Sequence, residues 1–72
     1  MPFITYSTVA GALSDDKKAE LSEALTNAVT STLGEGFKRN VWVTINELPE
    51  GSFYIGGHPL LADVLREKIE QQ

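Results

Sequence analysis

The 72 residues, 42% hydrophobic and 22% charged, suit one domain and no more, so residues 1–72 are expected to form a single unit. Six Lys and Arg against ten Asp and Glu leave a net charge of −4, which argues against a nucleic-acid binder with its usual basic face. With no cysteine and one histidine, disulfides, thiolate chemistry and a His-rich metal site are excluded, and partner copies are the support that remains for so small a core.

The stretch Pro2 to Thr8 (PFITYST) alternates β-branched and aromatic residues, with Ile4 and Tyr6 on one face and Phe3 and Thr5 on the other. That pattern predicts a strand. A small-residue loop follows from Val9 to Leu13, and Ser14 then stands as a helix N-cap. Asp15 and Asp16 fall in the first turn, where the helix dipole favours negative charge. Leu21, Ala24, Leu25, Ala28, Val29, Thr32 and Leu33 recur at three- and four-residue steps, one apolar stripe on a long helix. Gly34 and Gly36 end it.

Asn40 to Leu48 (NVWVTINEL) predicts the second strand, with Val41, Val43 and Ile45 on one face and Trp42, Thr44 and Asn46 on the other. Two strands joined by a long helix make a β-α-β unit, parallel and with a right-handed crossover. Pro49 to Gly51 break the strand, Ser52 to Ile55 suit a hairpin arm, and Gly56-Gly57 turn the chain. Leu61, Val64, Leu65 and Ile69 keep helical spacing to the end. The fold class is therefore α+β, with a short hairpin and a short C-terminal helix. One helix covers only one face of a two-stranded sheet, yet both faces carry apolar residues. The surplus again calls for an oligomer.

No apolar run approaches the roughly 20 residues of a membrane span, and no charged-then-apolar leader opens the chain. A soluble, cytoplasmic protein without membrane or nucleic-acid partners is expected. The usual chemical signatures are missing: no phosphate-binding glycine loop, and no G-x-S-x-G elbow around a serine. Asp15 with Asp16, and Glu67 with Glu70, read as solvated helix faces, and His58 as a surface or interface residue. Pro2 is different. Removal of Met1 leaves a prolyl secondary amine at the start of a strand. An ordinary α-amino group titrates near pH ~8, and an apolar pocket lowers that towards neutrality. Such an amine is a general base that needs no cofactor.

The start MPFI, the helix entry SDDKKAEL, the strand VWVTINELP and the run GSFYIGG together resemble the 4-oxalocrotonate tautomerase family across nearly the whole chain. The resemblance implies β-α-β subunits pairing into dimers, with three dimers forming a homo-hexamer. It also implies a cofactor-free isomerase, in which Pro2 moves a proton between carbon and oxygen of an enol or 2-oxo acid. Phe53, in GSFYIGG, matches the position lining the family's apolar pocket. Relatives acting on dicarboxylates use two arginines, and this chain lacks both. The first would fall at Ala12 or Leu13 and the second at Trp42. Two charge-assisted contacts of ~1.5–3 kcal/mol each are thus missing, so efficient turnover of a diacid is not expected.

Trp42 offers a pocket wall for an aromatic or monoacid substrate, or fills the space of the lost arginine. Lys38 and Arg39 precede the second strand; Arg39 is the candidate to hold a substrate's charge, against a solvated loop. Catalytic Pro2 with substrate-binding Phe53, Trp42 and Arg39, and no metal, is the resulting site. The alternatives are a non-catalytic assembly subunit of a tautomerase-like oligomer, and a hydratase- or dehalogenase-like relative using Pro2 as an acid.

Overall fold

In the computed structural model, which describes residues 2–71, the alternating amino-terminal segment is a strand, β1 (Phe3–Val9). It pairs in parallel with β2 (Trp42–Leu48), in a register running from Phe3 opposite Trp42 to Val9 opposite Leu48. Both strands are offset slightly from the expected Pro2–Thr8 and Asn40–Leu48. Ala10 N–H extends the ladder to the Leu48 carbonyl at 2.7 Å, whereas Asn40 closes a 3-10 helical turn, Glu35–Asn40, that periodicity did not reveal. The long helix α1 (Asp15–Leu33) connects the strands. Ser14 caps it as expected, its hydroxyl accepting from Lys17 N–H at 3.2 Å, with Asp15 and Asp16 in the first turn. Gly34 ends it with φ of 104°, a conformation that excludes most side chains, and its N–H reaches the Thr30 carbonyl.

The apolar stripe of α1 does not coincide with its covered face. Towards the sheet, Ser22, Thr26 and Thr30 are half-buried or buried beside Leu21, Leu25 and Val29. Their hydroxyls bond back to the helix, Ser22 to the Lys18 carbonyl at 2.8 Å and Thr26 to the Ser22 carbonyl at 2.9 Å. Ala24, Ala28 and Leu33 remain exposed, Leu33 to 56%. Half of the stripe thus lies open along the β1 side.

After β2 the chain turns and forms a minimal antiparallel hairpin, β3 (Tyr54–Ile55) with β4 (His58–Pro59). Gly56 and Gly57 join them with φ of 58° and 84°, as a turn with two positive φ values requires. The last element is α2 (Ala62–Glu70). Its first N–H is capped from a distance by the Glu50 carboxylate at 2.8 Å, and Arg66 Nε donates to the Gly11 carbonyl at 3.0 Å. These bonds gather the β1–α1 loop, the hairpin base and α2 at the carboxyl end of the strands. The buried apolar residues sit there: Val9, Ala12 and Ala62, with Thr8 beside them.

That core is small, and the subunit is extended. Its accessible surface is 5199 Å², against about 4400 Å² for a folded chain of this mass. Its radius of gyration is 14.3 Å, against about 11 Å for a compact domain of this length. Among the described residues, no helix is long and apolar enough to cross a membrane.

Candidate active site

Pro2 precedes β1 and has no N–H to give to the ladder, but its carbonyl accepts from Trp42 N–H at 3.0 Å. This bond fixes the start of β1 against the start of β2. Because side chains alternate along a strand, the Pro2 ring and Ile4 lie on the helix side while Phe3 lies on the other. Pro2 and Ile4, with Leu25, Ala28, Val29 and Leu33 of α1, line an open apolar groove of about 410 Å³. The exposed part of the helix stripe forms one wall of it.

On the opposite face, Phe3 and Trp42 meet edge to face, with ring centroids 6.1 Å apart and planes at 60°. Both stay largely exposed, Phe3 to 62% and Trp42 to 53%. Pro2 therefore stands at the corner of two apolar surfaces. Arg39 lies exposed on the 3-10 turn three residues before Trp42, at the same end of the sheet. Neither Lys38 nor Arg39 enters an ion pair among the described residues.

Phe53 lies elsewhere. It is half-buried, and its carbonyl accepts from Leu60 N–H at 2.8 Å, two residues before the capped start of α2. It belongs with the hairpin that follows the carboxyl end of β2, whereas Pro2 is at the amino end of β1, and the six strand steps between those two ends span about 20 Å. Phe53 does not line the Pro2 groove. Of the four expected site residues, one subunit brings together Pro2 and Trp42, holds Arg39 at the same end, and keeps Phe53 apart.

Three further cations lie at that far end. Lys17 and Arg66 border a smaller cleft of about 180 Å³ beside the β1–α1 loop, each already paired, Lys17 with Glu20 at 3.6 Å and Arg66 with Asp63 at 3.2 Å. Lys18 bonds Glu47 at 2.9 Å. This hydrogen bond, with the charges of Glu47 and Asp15, raises the Lys18 ammonium above its ordinary value in spite of partial desolvation. Sequence reasoning missed Phe3 as the partner of Trp42 and the α1 wall of the groove. Alternation and the stripe signalled both, but the strand register was needed to join them.

Comparison with known proteins bears on the family and the fold. The profile of the tautomerase enzyme family matches residues 2–62. A probable tautomerase of Streptococcus pyogenes serotype M3 is 37% identical over 57 residues, covering 79% of this chain and 90% of that protein. The crystal structure of TomN, a 4-oxalocrotonate tautomerase homologue in the tomaymycin biosynthetic pathway, superposes with a TM-score of 0.71 at 30% identity, covering 96% of this chain and 95% of TomN. DmpI from Helicobacter pylori shares the fold at 22% identity, with a TM-score of 0.69 over 99% of this chain and 98% of its own. The match across 2–62 and the shared β-α-β architecture lead to one conclusion: the chain belongs to the tautomerase family.

Proposed function

We propose that this chain is a cofactor-free tautomerase of an enol or 2-oxo acid, assembled from copies of itself, with Pro2 as the general base once Met1 is removed. Met1 lies outside the described residues, so the free amine is part of the proposal. The supporting observation is the setting of Pro2. Its carbonyl is pinned by Trp42 N–H, and its ring faces an apolar groove that disfavours an ammonium ion. A neutral secondary amine there takes the hydroxyl proton of an enol and returns a proton to carbon. The nitrogen ends as it began, and no redox partner or metal is consumed.

Three features support a homo-oligomer. The subunit exposes about 800 Å² more than a compact monomer would, which is the area one partner contributes to a standard interface. The α1 stripe is half open. Phe53 reaches a Pro2 only if a second copy delivers it. The trimer of dimers implied by the family resemblance supplies such a copy, and Trp42 and Arg39 then join Phe53 as substrate-binding residues.

The test is ketonisation of a 2-oxo acid enol by the purified oligomer. Pro2→Ala leaves a primary amine and is expected to lose about ten- to a hundredfold in kcat/KM. Pro2→Leu, whose bulk retains Met1, is expected to fall to the uncatalysed rate. Unchanged turnover in both variants would overturn the assignment and leave the chain as an assembly subunit. Turnover only of unsaturated or halogenated acids, with Pro2 as a proton donor, would instead mark the hydratase-like alternative.

A further inference from the structure

We propose that Glu50 and Arg66 are positioning residues for the Pro2 reaction: acting through α2, they fix the hairpin that carries Phe53 to the β1–α1 loop, and so place the wall that Phe53 brings to a second copy. The inference rests on the tautomerase reading above and adds to it the residues that hold Phe53 in place. Its first ground is the weakness of the hairpin. β3 and β4 are two residues each, and Tyr54, Ile55, His58 and Pro59 are all exposed. A two-stranded ribbon of that size is marginal in water. The Leu60 N–H bond to the Phe53 carbonyl adds a single further rung.

The second ground is the path that joins this hairpin to the rest of the subunit. Glu50 stands on the segment entering the hairpin, and its carboxylate accepts from Ala62 N–H at 2.8 Å, on the segment leaving it. Further along α2, Arg66 Nε donates to the Gly11 carbonyl at 3.0 Å. Gly11 has φ of 91°, and a Cβ there would lie 3.6 Å from the Ala62 Cβ and 3.7 Å from Arg66 Nη2, so α2 rests directly on the loop backbone. Val9 and Ala12, on either side of that contact, are buried and anchor the loop to β1. Phe53 is thereby linked to the sheet through Glu50, Ala62, Arg66 and Gly11. The third ground is that α2 has little else to hold it. Ala62 is its one buried residue, Leu65 and Ile69 are half-buried, and the rest are exposed. The pair of Arg66 with Asp63, at 3.2 Å, lies within the helix and adds no tie to the loop. The family profile ends at Ala62, so the likeness it records does not extend along the helix that completes this brace.

The test is steady-state ketonisation of the enol of phenylpyruvate by the purified oligomer, at chain concentrations where each variant sediments as the wild-type assembly. Glu50→Ala and Arg66→Met are each expected to lower kcat about three- to tenfold, with KM changed by less than about twofold. Glu50→Gln and Arg66→Lys, which keep an acceptor and a donor, recover most of that loss. Phe53→Ala is then added to Glu50→Ala and to Arg66→Met. The double variants are expected to match Phe53→Ala alone within about twofold, because the wall being removed is already displaced. A helix that merely adds stability leaves the two penalties to multiply.

Multiplied penalties would overturn the inference, and so would full activity in both Glu50→Ala and Arg66→Met. Dissociation of the oligomer in both variants, with no kcat defect in the assembled fraction, would also overturn it, because the brace would then hold copies together and not place Phe53. Failure of the parent reading is distinguishable: Pro2→Ala and Phe53→Ala would themselves leave turnover intact.

Discussion

Mixing two crippled variants tests how the site is divided between copies. Pro2→Ala lacks the ring amine and Phe53→Ala lacks the apolar wall, and each parent oligomer is expected to keep about a tenth of wild-type activity or less. Within one subunit Pro2 lies at the amino end of the sheet and Phe53 follows its carboxyl end, the register from Phe3–Trp42 to Val9–Leu48 spanning about 20 Å. The proposed site would then take its proline from one copy and its phenylalanine from another. If the variants are unfolded together in equal amounts and reassembled at random, each residue is wild type in half of the sites. About one quarter of the sites are then whole, well above either parent. The assay is the initial rate of enol decay per mole of chain, followed by ultraviolet absorbance, with separately refolded parents as controls. A mixture no more active than the mean of its parents would show that both residues serve one site within one chain. The division between copies would then be wrong.

Other expectations follow from the same structure. Glu50→Ala removes the distant cap of α2, worth about 1 kcal/mol, and should lower Tm by roughly 4–8 °C at fixed chain concentration. Glu50→Gln, which retains an acceptor, should recover most of that, and an unchanged Tm in Glu50→Ala would count against the cap. Lys18 has a raised folded-state value, so its stabilising contribution is present below the ordinary lysine value of 10.5 and lost as pH rises through the folded value. The stability difference between wild type and Lys18→Met should therefore be flat through neutral pH and, on the alkaline side, vanish only in strong alkali; a difference that disappears between about pH 8 and pH 6 would contradict the pairing. Leu33→Asp, at a 56% exposed position, should be nearly neutral in an isolated subunit, within about 0.5 kcal/mol. In the oligomer it should raise the dissociation concentration measured by analytical ultracentrifugation, and no change would mean that the α1 groove stays uncovered.

Much of the fold could be read from local signals. Ser14, Asp15 and Asp16 marked the start of α1, Gly34 its end, and Gly56-Gly57 the hairpin, because capping and positive φ are properties of a few adjacent residues. The 3-10 turn was not visible, since EGFKRN carries one isolated apolar residue, Phe37, and no period. Nor was the core, where Val9, Ala12 and Ala62 become buried only when α2 folds back on the β1–α1 loop. The stripe on α1 was legible as a stripe, but which half meets the sheet depends on packing, and the structure set serine and threonine there instead. The site divides in the same way. Pro2 stood out by its place after Met1, and Phe53 by resemblance. The pairing of Trp42 with Phe3 beside Pro2 needed the register, a long-range property that neither strand encodes alone.

The central claim is that Pro2 acts through a free secondary amine, and the intact mass of the protein from its native host tests it most directly. The expected mass is short of one methionine. A mass retaining Met1 would make the Pro2 nitrogen a tertiary amide, with no proton to accept or donate, and would contradict the account.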